Sequence, residues 1–163
     1  MKEEKENKKR IAIVRIRGEV HVRGKIAETM KKLKLTRVNH CVVVDSRKEY
    51  MGMVKQVKDY VTYGEVSPET VEKLITKRGL LVGDKRITDE YVKKNTTFKT
   101  IKEFVKDFMS FKAELKDLEM KRLFRLEPPK KGYERGGIKH PFSKGGVLGY
   151  RGDKINILLE KMI

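Results

Sequence analysis

A single cysteine, three histidines and no run of about 18 apolar residues set the first limits on this 163-residue chain. One cysteine cannot form a disulfide within the chain or build a zinc site on paired thiolates. Cys41 lies inside HCVVVD, where a small buried thiol in a strand is the plain reading, and a reducing, cytoplasmic compartment is expected. The apolar runs are too short for a membrane span. MKEEKENKKR at the start has no apolar stretch of secretory type behind it, so the chain is expected to stay where it is made. His21, His40 and His140 stand in different segments, and none has an Asp, Glu or Cys partner at metal-ligand spacing. The carboxylates are interleaved with lysine and form no acid/base pair. Neither a catalytic residue, a cofactor nor a metal is therefore expected, and no internal repeat is evident.

Positive charge is abundant, with a formal net charge of +17 from 40 Lys and Arg against 23 Asp and Glu. Its distribution says more than its sum. Residues 11–64 contribute +7 and residues 121–153 contribute +6, whereas residues 65–120 contribute only +1. Two basic regions flank a nearly neutral middle. A general solubility device has no reason to segregate charge in this way, but a nucleic-acid footprint does.

The hydrophobic pattern predicts an α+β fold. RIAIVRIRG (10–18) is β-branched and apolar at both parities, as in a strand covered on both sides. In HVRGKIAETMKKLKL, Ile26, Met30 and Leu33 make a helical stripe, with Gly24 at its start. TRVNHCVVVDS (36–46) is a second strand, Val54, Val57 and Val61 mark a second helix, and VTYGEV (61–66) is a third strand. The order β-α-β-α-β over residues 11–66 predicts a three-stranded sheet with two helices on one face. Residues 1–10 are expected to be a short charged tail. Residues 67–163 are expected to be an extension with helices begun at Ser67-Pro68, Thr88 and Thr100, a basic Gly-rich loop over 130–152 and a closing helix. The helix from Thr100 has the option of continuing through KAELKDLEM. Diproline 128–129 ends whatever precedes it.

The loop reads KKGYERGGIKHPFSKGGVLGYRGD from Lys130 to Asp153. Six Lys or Arg recur among glycines and three aromatic rings, with only two acids. Glycines let a backbone approach a phosphodiester closely, and Lys and Arg supply charge-assisted donors. Such a segment is expected to be mobile until it orders against RNA. Gly146-Val147-Leu148-Gly149 matches the GxxG of single-strand-binding KH domains, yet Pro141 and Gly145 disfavour the helix that motif needs in front of it. The loop also lacks the Gly-Lys-Ser/Thr ending of a nucleotide-binding loop. Candidate RNA-binding residues here are Lys130, Lys131, Arg135, Lys139, Lys144 and Arg151. Those of the first basic region are Arg15, Arg17, Arg23, Lys25, Arg37, Arg47, Lys48, Lys55 and Lys58, of which Arg23 and Lys25 flank a helix start that favours phosphate.

KLKLTRVNHCVVVDSRKEYMGMVKQVKDYVTYGEV (32–66) resembles the core of the large-subunit ribosomal protein thirty family. KRG (77–79), KRIT (85–88), FRLEPP (124–129) and GGIKHPFSKGGVLGYRGDKINILLEKMI (136–163) resemble its longer archaeal and eukaryotic form, whose eukaryotic member is large-subunit protein seven. The likeness covers nearly everything after residue 10, in the expected motif order. It implies a compact antiparallel β-α-β-α-β domain, a relative of the ferredoxin-like folds, bound as a monomer within the particle to large-subunit rRNA and to neighbouring ribosomal proteins, with no membrane role and no reaction. By this likeness Arg37, Asn39, Lys55 and the GGIKHPFSKGG stretch, His140 included, lie in motifs of the RNA-bound protein. The eukaryotic form has a long basic N-terminal arm; MKEEKENKKR is short and partly acidic, which points to an archaeal ribosome. A free-standing RNA-binding regulator or RNA chaperone of the same fold is the alternative.

Overall fold

A computed structural model describes residues 8–163 of the chain. Most of the expected charged tail, residues 1–7, lies outside the described residues. Arg10, counted with that tail, is already the first residue of a strand and is buried. The elements run β1 (Arg10–Arg15), α1 (Gly24–Lys32), β2 (His40–Asp45), α2 (Lys48–Val57), β3 (Val61–Glu65), α3 (Pro68–Arg78), α4 (Asp89–Asn95), α5 (Ile101–Met109), β4 (Leu123–Arg125), β5 (Gly149–Tyr150) and α6 (Ile155–Met162).

The sheet corrects the expected three strands. It has five, in the order β4-β2-β1-β3-β5. β1 pairs antiparallel with both β2 and β3, in the arrangement expected of residues 11–66. β4 then extends the β2 edge antiparallel, with Cys41 opposite Phe124, and β5 extends the β3 edge in parallel, with Tyr63 opposite Tyr150. Three residues and two residues are too few to display the alternation that reveals a strand in a sequence.

Alternation along β1 divides two cores. Ile11 and Ile13 join Val42, Val61 and Tyr63 beneath α1 and α2, where Met30, Leu33, Val54 and Val57 pack. Ala12, Val14, Cys41 and Val43 turn to the other face, which α3, α5 and α6 cover with Leu74, Ile75, Phe104, Phe108, Leu158 and Leu159. The nearly neutral chain after residue 66 thus supplies the second layer that a two-faced apolar strand requires.

Local chemistry starts and stops these helices. Ser67, Thr88 and Thr100 each accept a hydrogen bond from the backbone N–H three residues on, and Pro68 fills the first helical position of α3. α5 does not continue through KAELKDLEM. Arg10 takes the Phe108 carbonyl of the last α5 turn at 3.0 Å and the Ala113 carbonyl of the following turn at 3.3 Å, with its guanidinium over the Phe108 and Phe111 rings. Phe111 adopts a left-handed conformation (φ 61°), and the chain turns away while Ala113, Leu115 and Leu118 stay buried.

Gly64 permits the closest approach in the molecule's second layer. A Cβ there would stand 2.1 Å from Gly152 O and 3.1 Å from Ile155 Cβ. Gly64→Ala is expected to lower stability by roughly 1–3 kcal/mol, the usual cost of overpacking. Chemical denaturation reads the loss, and amide exchange should place the loosening at residues 149–158. Cys41 gives a second check. Burial pushes its thiol up to about 12, so Ellman's reagent should label it only as fast as the protein unfolds, not at the rate of an exposed thiol.

Candidate nucleic-acid interface

At the end of the sheet where β1 finishes and β3 begins, the two basic regions meet. A groove of about 700 Å³ is lined by Arg17, His21, Arg23, Ile26, Lys58 and Tyr60 on one side, and by Lys139, Pro141, Leu148 and Gly149 on the other; Asp59 is its one acid. More than a hundred residues of sequence separate Arg23 from Lys139. The cations form a rim around a partly apolar floor. Arg17 is fixed in place, donating to Asp59 O at 3.3 Å and lying 5.1 Å from the centre of the Tyr60 ring. Arg23, at the start of α1, makes no side-chain capping bond and is exposed, as are Lys58 and Lys139.

The second wall of the groove is a loop closed by its own backbone hydrogen bonds. Gly136 N donates to Gly145 O, Val147 N and Leu148 N both donate to His140 O, and Phe142 N donates to Leu148 O. Glycine is required for this closure: a Cβ on Gly146 would sit 2.1 Å from His140 O. Arg151 locks the loop to the sheet. The residue is 5% exposed; its guanidinium makes two bonds to the Glu134 carboxylate at 2.6 and 3.3 Å, donates to Val147 O, reaches Thr62 Oγ1 on β3 at 2.9 Å, and lies over the Phe142 ring at 4.6 Å. Burial alone would raise the Glu134 carboxyl, but the Arg151 bonds, its own backbone N–H and the surrounding cations hold it below the usual carboxylate value.

The expected site residues therefore divide. Arg15 and Arg151 are removed from the contact surface, because their donors are consumed inside the protein. Arg15 is 2% exposed and donates to Leu35 O, Thr36 O and Arg17 O. Asn39 is half-buried at φ 64°, its amide oxygen accepting from the Tyr133 hydroxyl at 3.2 Å, so it joins the β2 start to the loop. Arg17, Arg23, Lys58 and Lys139 line the groove. Lys25, Arg37, Lys55, Lys130, Lys131, Arg135, His140 and Lys144 are exposed but do not line it. Arg47 and Lys48 follow the far end of β2, beside the start of β1, and Arg47 pairs with Asp45. Arg10, outside the expected set, is internal, and His21, four residues before Lys25 and expected at a packing or phosphate-side position, lines the groove.

His40 closes the same end from inside. Its Nδ1 accepts from Arg37 N at 3.2 Å, and burial, followed by the nearby Arg125, Arg37 and Arg15 charges, lowers its pKa below the ordinary 6.5. Among the described residues no group of three or more His, Cys, Asp and Glu is arranged to hold a metal ion, and no helix is long and apolar enough to cross a membrane.

Fold and charge define a small, strongly basic α+β protein with a cationic groove. The family model for ribosomal protein L30p/L7e matches residues 11–61. The large ribosomal subunit protein uL30 of Methanopyrus kandleri is 53% identical over 149 residues, spanning 91% of this chain and 100% of that protein. The uL30 proteins of Methanococcus maripaludis and Methanosphaera stadtmanae are 53% and 48% identical, each over 93% of this chain and 98% and 99% of their own length. The chain belongs to the ribosomal protein L30p/L7e family.

Two outcomes follow from this geometry. Because the folded His40 resists protonation that the unfolded ring accepts, its contribution to stability is complete above pH 6.5 and is lost as pH falls toward the lowered folded value. Denaturation midpoints should thus drop between about pH 7 and 5, and His40→Gln should flatten that slope. Glu134→Gln leaves the buried Arg151 charge uncompensated and should cost roughly 3 kcal/mol. In a denaturant titration, a loss below about 0.5 kcal/mol would show that the pair does not hold the loop.

Proposed function

We propose that this chain is a structural constituent of the large ribosomal subunit that grips large-subunit rRNA across the groove between the α1 start and the Gly-rich loop. It carries out no reaction. It works as one copy in the particle, in the cytoplasm, beside other ribosomal proteins. Residues 11–66 act as the frame and residues 67–163 as the brace that carries the second wall. The observation that supports this reading is the convergence of Arg17, Arg23 and Lys58 with Lys139 around one groove.

Each part has a physical task. Arg23 stands where the free N–H groups of a helix start already favour an anion. Lys58 and Lys139 approach from opposite walls, so a phosphodiester strand between them is neutralised from both sides. Tyr60, Ile26 and Leu148 offer apolar area for a base or ribose. Lys25, Arg37, Lys55, Lys130, Lys131, Arg135, His140 and Lys144 extend the positive surface along the backbone. Arg47 and Lys48 serve a separate patch at the opposite end of the sheet. Arg15, Asn39 and Arg151 act indirectly by holding the walls in position.

Neutralising about six phosphates gives a log–log salt slope near −5, so affinity should fall about a thousandfold between about 50 and 200 mM salt. Filter binding of the purified protein to large-subunit rRNA fragments measures this. Lys58→Ala with Lys139→Ala should reduce the slope by about 2, whereas Lys77→Ala, in the neutral middle, should leave it unchanged. A slope near zero, or one indifferent to Lys58 and Lys139, contradicts the assignment. Retention of the chain on large subunits through a high-salt wash separates a built-in constituent from a free-standing regulator.

A further inference from the structure

At the opposite end of the sheet, β2 is only half paired. β4 accompanies it from His40 to Val42 and then departs. The cause is local: Lys121 N donates to Leu80 O, and Met120 bridges to Leu81. Ser46 N donates to Lys9 O, which fixes the phase of the β1–β2 ladder. By that phase the N–H and C=O groups of Val42 and Val44 turn toward β1, and those of Val43 and Asp45 turn outward. No strand among the described residues pairs with this outer stretch. Such an edge is a template for another extended chain.

A cavity of about 330 Å³ opens beside it, with Leu33, Val42, Val44 and Leu115 among its walls. Asp45, 6% exposed, also lines the cavity. Arg47 Nε donates to its Oδ2, while Oδ1 is fully buried with no hydrogen-bond partner among the described residues. A buried acceptor left in this state is destabilising, and an incoming donor would relieve it. The same cavity is lined by Lys34, Lys116 and Arg122, all exposed and none in an ion pair among the described residues. The edge, the orphan acceptor and the cationic rim describe one occupant.

We propose that the outer edge of β2 at Val43–Asp45 is a docking site for an extended, acidic segment of a neighbouring large-subunit protein. The segment adds to the sheet along Val43 and Asp45. One of its N–H or hydroxyl groups donates to Asp45 Oδ1, and its carboxylates lie among Lys34, Lys116 and Arg122. A phosphodiester backbone fits less well, since it brings no alternating N–H and C=O ladder to pair with the β2 edge. The proposal rests on the reading of the chain as a large-subunit constituent.

Photo-crosslinking in the assembled particle tests it, with p-benzoylphenylalanine placed at Lys116 in one variant and at Lys139 in a second. Large subunits containing either variant are isolated, irradiated and mapped by mass spectrometry. The Lys139 probe should crosslink to rRNA. The Lys116 probe should crosslink to a protein segment containing Asp or Glu, and Lys34→Glu with Arg122→Glu should cut that yield roughly fivefold or more. A Lys116 product on rRNA, a product on a segment without acids, or no product while the Lys139 probe reacts overturns the docking site alone. Absence of even the unmodified chain from isolated large subunits overturns the reading of the chain as a constituent, a result distinct from a missing Lys116 product.

Discussion

The Arg151 guanidinium is the interaction on which the presented surface depends. It leaves the sheet beside β5 and uses its donors on Thr62 of β3, on Glu134 at one end of the loop and on Val147 at the other. Without it the Gly-rich loop would keep its internal hydrogen bonds and the short β5 pairing, and lose the tie that holds Glu134 and Val147 against β3. Lys139 would then no longer stand opposite Arg23 and Lys58. Arg suits this task because its planar fork satisfies several acceptors at once, as the single charge of Lys cannot. A buried ion pair is not stabilising in itself against an apolar alternative. Its value here is geometric, since it sets where a flexible, glycine-punctuated segment sits.

Arg10 and Arg15 repeat the device at the two ends of β1. Arg10 takes the carbonyls where α5 ends, and Arg15 takes those where the α1–β2 connection turns. In each case backbone oxygens left over by a terminating element find donors. The chain thus uses some of its positive charge as internal fasteners and turns the remainder outward. The nearly neutral stretch 65–120 takes little part in the charged surface and covers the second face of the sheet with α3 and α5.

This division explains what was legible in the sequence. The β-α-β-α-β order followed from Val and Ile stripes at periods that only strands or helices produce, and the starts at Ser67, Thr88 and Thr100 followed from cap chemistry. β4 and β5 were not legible, because LFR and GY are paired by tertiary placement and not by pattern. The burial of Arg15 and Arg151 was hidden for a different reason: composition counts a guanidinium alike whether it faces solvent or a carbonyl. The end of α5 was hidden because the group that terminates it, Arg10, lies nearly a hundred residues earlier. The groove was half legible, since segregated charge showed two basic regions but not that they share one end of the sheet.

A density map of the large subunit containing this chain is the most direct test of the central claim. The account predicts rRNA backbone within hydrogen-bonding distance of both walls of the groove, Arg23 or Lys58 on one side and Lys139 on the other, with the Arg151–Glu134 pair intact beneath them. A map in which the groove opens to solvent, or in which rRNA touches only one wall while the loop has swung away from β3, would contradict it.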